Sequence, residues 1–237
     1  MKKQILAVVA IAVALLMQSC TKVNGDGPVV TEERQVSPFT GIELDLNADV
    51  YYTQDAVQKV EIRAQQNIIN RLNVYVSGGK LMLKKDPATV FYSFERIKIY
   101  VSAPDAHDLR VNGSGTIQVL QPVQFTNSRL DVSGSGDIVL NQITGNSLSA
   151  WISGSGTIKV NTGVLQNEEF NISGSGDINV VGVVANKATT RTSGSGNIRL
   201  QATQSIDAYI SGSGDVYYLG SPSINTHISG SGRVQKL

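Results

Sequence analysis

The sequence predicts an all-β protein, a β-solenoid with coils of about 18–21 residues, and three observations carry that reading. A short motif, Ser/Asn-Gly-Ser-Gly, recurs seven times, at residues 112, 133, 153, 173, 193, 211 and 229, with spacings of 21, 20, 20, 20, 18 and 18. On either side of each copy apolar and polar residues alternate, the two-residue period of a strand with one buried face. Glycine accounts for 23 of 237 residues and 14 of those lie in the motif, a distribution that suits repeated tight corners and opposes long helices.

In chain order, residues 1–19 read as a signal peptide. Lys2 and Lys3 precede an apolar run from Ile5 to Met17, too short to span a bilayer stably, and Gln18-Ser19-Cys20 closes it. Cys20 is the chain's only cysteine, which excludes an internal disulfide framework. Its place after Leu15-Leu16-Met17 resembles the lipobox of bacterial lipoproteins, whose signal is cut before an acylated cysteine. Residues 20–37 then read as a lipidated N-terminus and a flexible tether, because glycine, proline and charge occur there without sustained periodicity. Without Lys2 and Lys3 the chain has 18 basic against 19 acidic residues, a net charge of −1. No basic block is available to neutralise a phosphate backbone, so nucleic acid is not an expected partner.

Residues 38–105 predict irregular N-terminal coils. Short strands are expected at Ile42–Leu46, Val60–Ile62, Val74–Val76, Leu81–Leu83 and Ile97–Val101. Gln65–Leu72 suits one helical turn or a loop. Asn47-Ala48-Asp49-Val50 and Ser77-Gly78-Gly79-Lys80 read as distant copies of the corner, which would start the winding near Ile42.

Residues 106–237 predict the regular coils. Before each corner an inward pair recurs (Leu109/Val111, Leu130/Val132, Ala150/Ile152, Phe170/Ile172, Ala208/Ile210), and after it another (Ile117/Val119, Ile138/Leu140, Ile158/Val160, Ile178/Val180, Ile198/Leu200). Thr190/Thr192 and Thr226/Ile228 are weaker versions. Leu148, Val164, Val183, Ile206 and Ile224 are candidates for a third wall. The corner glycines, Gly134, Gly136, Gly154, Gly156, Gly174, Gly176, Gly194 and Gly196 among them, are expected to include left-handed positions, Gly176 being the one tested below. Corner serines about 4.8 Å apart are expected to bond along the stack or to turn backbone.

Chemical readings of the corner fail on spacing. A phosphate loop leads into a helix, and each copy here leads into a strand. Calcium solenoids place Asp at a nine-residue period, whereas Thr116, Asp137, Thr157, Asp177, Asn197, Asp215 and Arg233 never put two aspartates in adjacent coils. A structural ladder is the expectation, with no metal and no cofactor. Two histidines, His107 and His227, and no placed base predict that the chain is not an enzyme. The candidate site is the outward column one residue before each inward β position: Arg110, Asp131, Trp151, Asn171, Arg191, Tyr209 and His227. Gln118, Lys159, Asn179, Arg199 and Tyr217 form a second column after the corner. Together they are expected to make a flat polar face, with Arg110, Trp151, Asn171, Arg191, Tyr209 and Tyr217 suited to sugar rings or a protein partner.

Phe39-Thr40-Gly41-Ile42-Glu43-Leu44, the strands that follow and the Ser-Gly-Ser-Gly-Asp-Ile array resemble the family called putative auto-transporter adhesin, head GIN domain, over roughly residues 38–220. The resemblance implies a single-stranded right-handed parallel β-helix, carried on lipoproteins of Bacteroidetes-type bacteria, and supplies no catalytic residues. The expected function is therefore a cell-envelope binding module. Lipid would anchor it, at the outer membrane on either face, and it would meet a glycan or an envelope or host surface protein. The alternative is a scaffold that associates end to end; a polysaccharide-active enzyme is the least favoured reading.

Overall fold

The computed structural model describes residues 21–237; the predicted signal peptide and Cys20 lie outside the described residues. Sixteen strands form one continuous winding sheet. The repeat region is the parallel β-solenoid that the spacing predicts. β11 (Thr116–Gly134), β12 (Asp137–Gly154), β13 (Thr157–Gly174) and β14 (Asp177–Gly194) are each a full coil, followed by β15 (Ile198–Gly212), β16 (Val216–Leu219), β17 (Ser223–Gly230) and β18 (Val234–Lys236). Every motif falls in register on the next, Ser133 on Ser153, Ser153 on Ser173 and Ser173 on Ser193.

The winding does extend upstream of the repeats. β3 (Gly41–Asp45) pairs in parallel with β10 (Asp108–Gly113), placing Ile42 beside Leu109, and β4 (Asp49–Gln54) pairs with β11, placing Val50 beside Ile117. These coils do not stack in chain order. β7 (Lys80–Lys85) lies on the far side of β3, and β9 (Lys98–Ala103) on the far side of β4, so coil 41–54 is held between later segments. Ser77-Gly78-Gly79-Lys80 is not a worn corner. It is the turn of an antiparallel hairpin between β6 (Leu72–Ser77) and β7, both glycines having positive φ, as two-residue hairpin turns of this kind require. Antiparallel β5 (Lys59–Gln65) and β2 (Val29–Glu33) end the other wall, and α1 (Gln66–Ile69) is the expected single turn.

The tether expectation for 20–37 is overturned for its described part. β1 (Thr21–Val23) pairs with β8 (Thr89–Phe91), and β2 pairs with β5. Alternation in Val29–Glu33 is too short to register on its own, and its partner lies about thirty residues away in sequence.

Inward residues stack as columns. Leu130, Ala150, Phe170, Thr190 and Ala208 are all buried, as are Ile138, Ile158, Ile178 and Ile198 across the corner. Each large aliphatic side chain so buried contributes about 1.5–3 kcal/mol. The third wall departs from expectation at Val164, which is exposed while Leu165 is buried, and at Ile224, exposed on the last coil. Leu148, Glu168, Ala188 and Ile206 share one column, so a carboxyl occupies an inward position between Leu148 and Ala188. Glu168 is buried, neither of its oxygens has a partner, and burial pushes its pKa well above the ordinary value.

The corner uses its two glycines differently. The first of each copy is left-handed, Gly174 with φ of 130°. Gly176 is not, which corrects the expectation; a methyl there would instead strike the Gly156 carbonyl and approach Ile152 Cγ2 within 2.7 Å. Backbone bonds join the corners: Ser175 N donates to Gly154 O at 2.9 Å, and Gly176 N to the same oxygen at 3.0 Å. Among the described residues no corner serine hydroxyl bonds to its counterpart. The Asp column is the side-chain ladder: Thr157 N donates to Asp137 Oδ1 at 3.1 Å, Asn197 N to Asp177 Oδ1 at 2.9 Å, and Arg233 N to Asp215 Oδ1 at 2.8 Å.

Candidate functional site

The outward column forms as the alternation predicts. Arg110 lies beside Asp131, Asp131 beside Trp151, Trp151 beside Asn171, Asn171 beside Arg191, Arg191 beside Tyr209 and Tyr209 beside His227. Between this column and the first serine of each corner runs a groove of about 870 Å³. Ser133, Ser153, Ser173 and Ser193, all exposed, line its other side. The site is thus a shallow, open groove along the stack, lined by several residues of each coil.

Two aromatic platforms stand in it, Trp151 40% exposed and Tyr209 38% exposed. Each is braced by an arginine from the preceding coil. The Arg129 guanidinium lies 4.9 Å from the Trp151 ring and that of Arg191 lies 5.2 Å from the Tyr209 ring. His227 stacks on the other side of Tyr209, centroids 4.8 Å apart and planes within 10°. Asp131 fixes both nearby guanidiniums, Arg110 Nη2 at 2.7 Å and Arg129 Nε at 2.9 Å, and Glu169 holds Arg191 at 3.1 Å. Arg110, Arg129 and Arg191 line the groove against Asp131, and Glu169 answers Arg191, which leaves one positive charge in excess.

Four polar atoms in the groove residues are buried without a partner: Asn171 Nδ2, Arg110 Nε, Asp131 Oδ1 and, on an inward-facing side chain, Thr192 Oγ1. Such groups are uncommon in folded proteins, where ordered water, an ion, a ligand or local strain accounts for them. Asn171 is the telling one, because its register puts that unanswered amide in the coils between the two platforms.

Arg110, Trp151, Asn171, Arg191 and Tyr209 therefore come together. Tyr217 does not. It lies beyond the corner on the next wall, where Arg199 sits 5.0 Å from its ring and its hydroxyl donates to Asp215 at 3.0 Å. Gln118, Lys159, Asn179 and Arg199 share that wall, so the second column is a separate surface. Sequence reading missed Arg129. Its signal was present, since a residue two before Asp131 shares its face. Among the described residues no three His, Cys, Asp or Glu side chains gather as a metal site.

Residues 38–222 match the family described as putative auto-transporter adhesin, head GIN domain, and the chain belongs to that family. Solved structures agree in fold. A putative adhesin from Bacteroides fragilis, 24% identical, superposes with a TM-score of 0.78 over 91% of this chain and 100% of its own. A putative lipid binding protein from Parabacteroides distasonis, 26% identical, gives 0.75 over 92% and 100%, and a putative adhesin from Parabacteroides merdae, 21% identical, gives 0.71 over 91% and 99%. No curated protein matches the chain.

Proposed function

We propose that this chain is a lipid-anchored protein of the bacterial outer membrane, held through acylated Cys20, whose groove binds a glycan. It acts by adhesion and turns nothing over. The observation that carries the reading is the unpartnered Asn171 amide between two exposed, arginine-braced aromatic rings. An aromatic face packs against the apolar side of a sugar ring, while amide and guanidinium groups bond its hydroxyls. The excess positive charge favours a glycan with acidic groups. Binding to a panel of glycans and envelope polysaccharides tests this, with a Trp151→Ala/Tyr209→Ala chain in parallel. Binding that the double variant loses supports the reading. Binding only to an envelope or host surface protein would transfer the groove to a protein partner.

A second reading has one observation behind it. β17, the outer strand of its wall among the described residues, leaves Ile224 and Ile228 exposed at positions that are inward in earlier coils. Such an edge invites pairing with a second copy. Sedimentation that shows only monomer at high concentration would dismiss this scaffold.

A further inference from the structure

Residue 21, the neighbour of Cys20, is not on a loose leash. Thr21 N donates to Ala88 O at 2.8 Å, Tyr92 N to Val23 O at 3.0 Å and Gly25 N to Ser93 O at 2.6 Å. Acyl chains on Cys20 would therefore bring the 88–93 strip to the lipid surface with them. That strip has the composition of a membrane contact. Val90 in β8 and Tyr92, the residue that follows β8, are both exposed, and Lys22 lies directly beside Val90. Val90 is 42% exposed and Tyr92 75% exposed, the most exposed large side chain of its kind among the described residues. The Lys22 ammonium stands 5.9 Å from the Tyr92 ring. Phe91, on the opposite side, packs with Phe94 at 5.4 Å, so the outward residues are not displaced core. Of the nearby carboxylates, Asp86 accepts from Ala88 N at 3.0 Å and lies 3.8 Å from Arg71, while Glu95 is exposed with no ion pair among the described residues.

We propose that Lys22, Val90 and Tyr92 form the face on which the domain rests on the bilayer, a proposal that depends on the lipid anchor at Cys20. Tyrosine at headgroup depth and lysine beside lipid phosphates are the chemistry of membrane interfaces. β8 links β7 to β9, which stack on one side of β3 and β4, while the groove runs along coils stacked in the other direction. The groove's coils thus stack on the opposite side of β3 and β4 from the segments that flank this strip.

The test uses the full chain expressed in a bacterium, purified from membranes and reconstituted in vesicles of phosphatidylethanolamine and phosphatidylglycerol with brominated acyl chains. Three chains are compared: the natural one, whose single tryptophan is Trp151, Tyr92→Trp/Trp151→Phe and Val90→Trp/Trp151→Phe. An intact mass on the purified protein reads acylation of Cys20 directly. The expected result is acylated protein in which the Tyr92→Trp/Trp151→Phe chain loses about half its fluorescence or more, as an interfacial aromatic would, while the natural chain is not quenched. A Val90→Trp/Trp151→Phe chain should be quenched likewise. Acylated protein with no quenching at either position, or with Trp151 quenched as strongly, overturns the resting face and leaves the anchor standing. An unacylated mature chain overturns the anchor, and the resting face falls with it.

Discussion

The Arg129 guanidinium lies 4.9 Å from the Trp151 ring while its Nε stays bonded to Asp131 at 2.9 Å. One carboxylate thus holds the cation that holds the platform, so the ring is ordered before any ligand arrives. Pre-ordered side chains lose less freedom on binding. Arg129→Ala is expected to weaken glycan binding several-fold while shifting unfolding free energy by less than about 1 kcal/mol, since the pair is partly exposed. Titration of the variant beside the natural chain, with a denaturant melt of each, checks both halves.

Glu168 gives a pH dependence of definite sign. Its folded pKa is raised by burial, so the protonated form is the one the core accepts. Stability is then full below the ordinary value of 4.5 and falls as pH rises toward the raised folded value. Glu168→Leu should raise stability at neutral pH by about 1–3 kcal/mol and flatten this dependence, because it removes two unpartnered buried oxygens. Urea melts of both chains at pH 4 and pH 8 would show a shared slope if the idea is wrong.

The two corner glycines fail for different reasons. Gly174→Ala places a side chain at φ of 130°, and Gly176→Ala drives a methyl into the Gly156 carbonyl. Each should cost more than about 1 kcal/mol. Ser175→Ala, whose backbone N–H makes the bond to Gly154 O, should lie within about 0.5 kcal/mol of the natural chain. Equal melting temperatures across all three would remove the argument.

Asp177 is the lower rung of a side-chain ladder, accepting from both Asn197 N and Asn197 Nδ2. Asp177→Ala should destabilise by about 1 kcal/mol or more and Asp177→Asn by less, because the amide oxygen can still accept from Asn197 N. Calcium should change neither melt; protection of the natural chain by calcium would return the column to metal binding.

The repeat made the regular coils legible because each motif carries its own register: once Ser153 is set on Ser173, Trp151 must fall beside Asn171. Positions far from the corner were less secure. The Val164 and Leu165 exchange occurs near the opposite side of the coil, where loop length varies and alternation from the corner no longer fixes the face. Tyr217 was joined to the wrong surface because period alone does not say how sharply Gly-Ser-Gly turns one wall from the next. Ser77-Gly78-Gly79-Lys80 shows the same limit from the other side, since left-handed glycines serve a hairpin as well as a solenoid corner. The strands at 21–33 were hidden because partners distant in sequence, not their own pattern, make them strands.

The most direct test of the groove uses its own reporter, since Trp151 is the chain's only tryptophan. Its fluorescence would be followed while acidic and neutral envelope polysaccharides are titrated into the natural chain and into Tyr209→Ala. The account predicts a saturable change with an acidic glycan, weakened about tenfold or more by Tyr209→Ala, which removes a platform three coils away. A flat signal with every polysaccharide, or a change that Tyr209→Ala leaves intact, would contradict it.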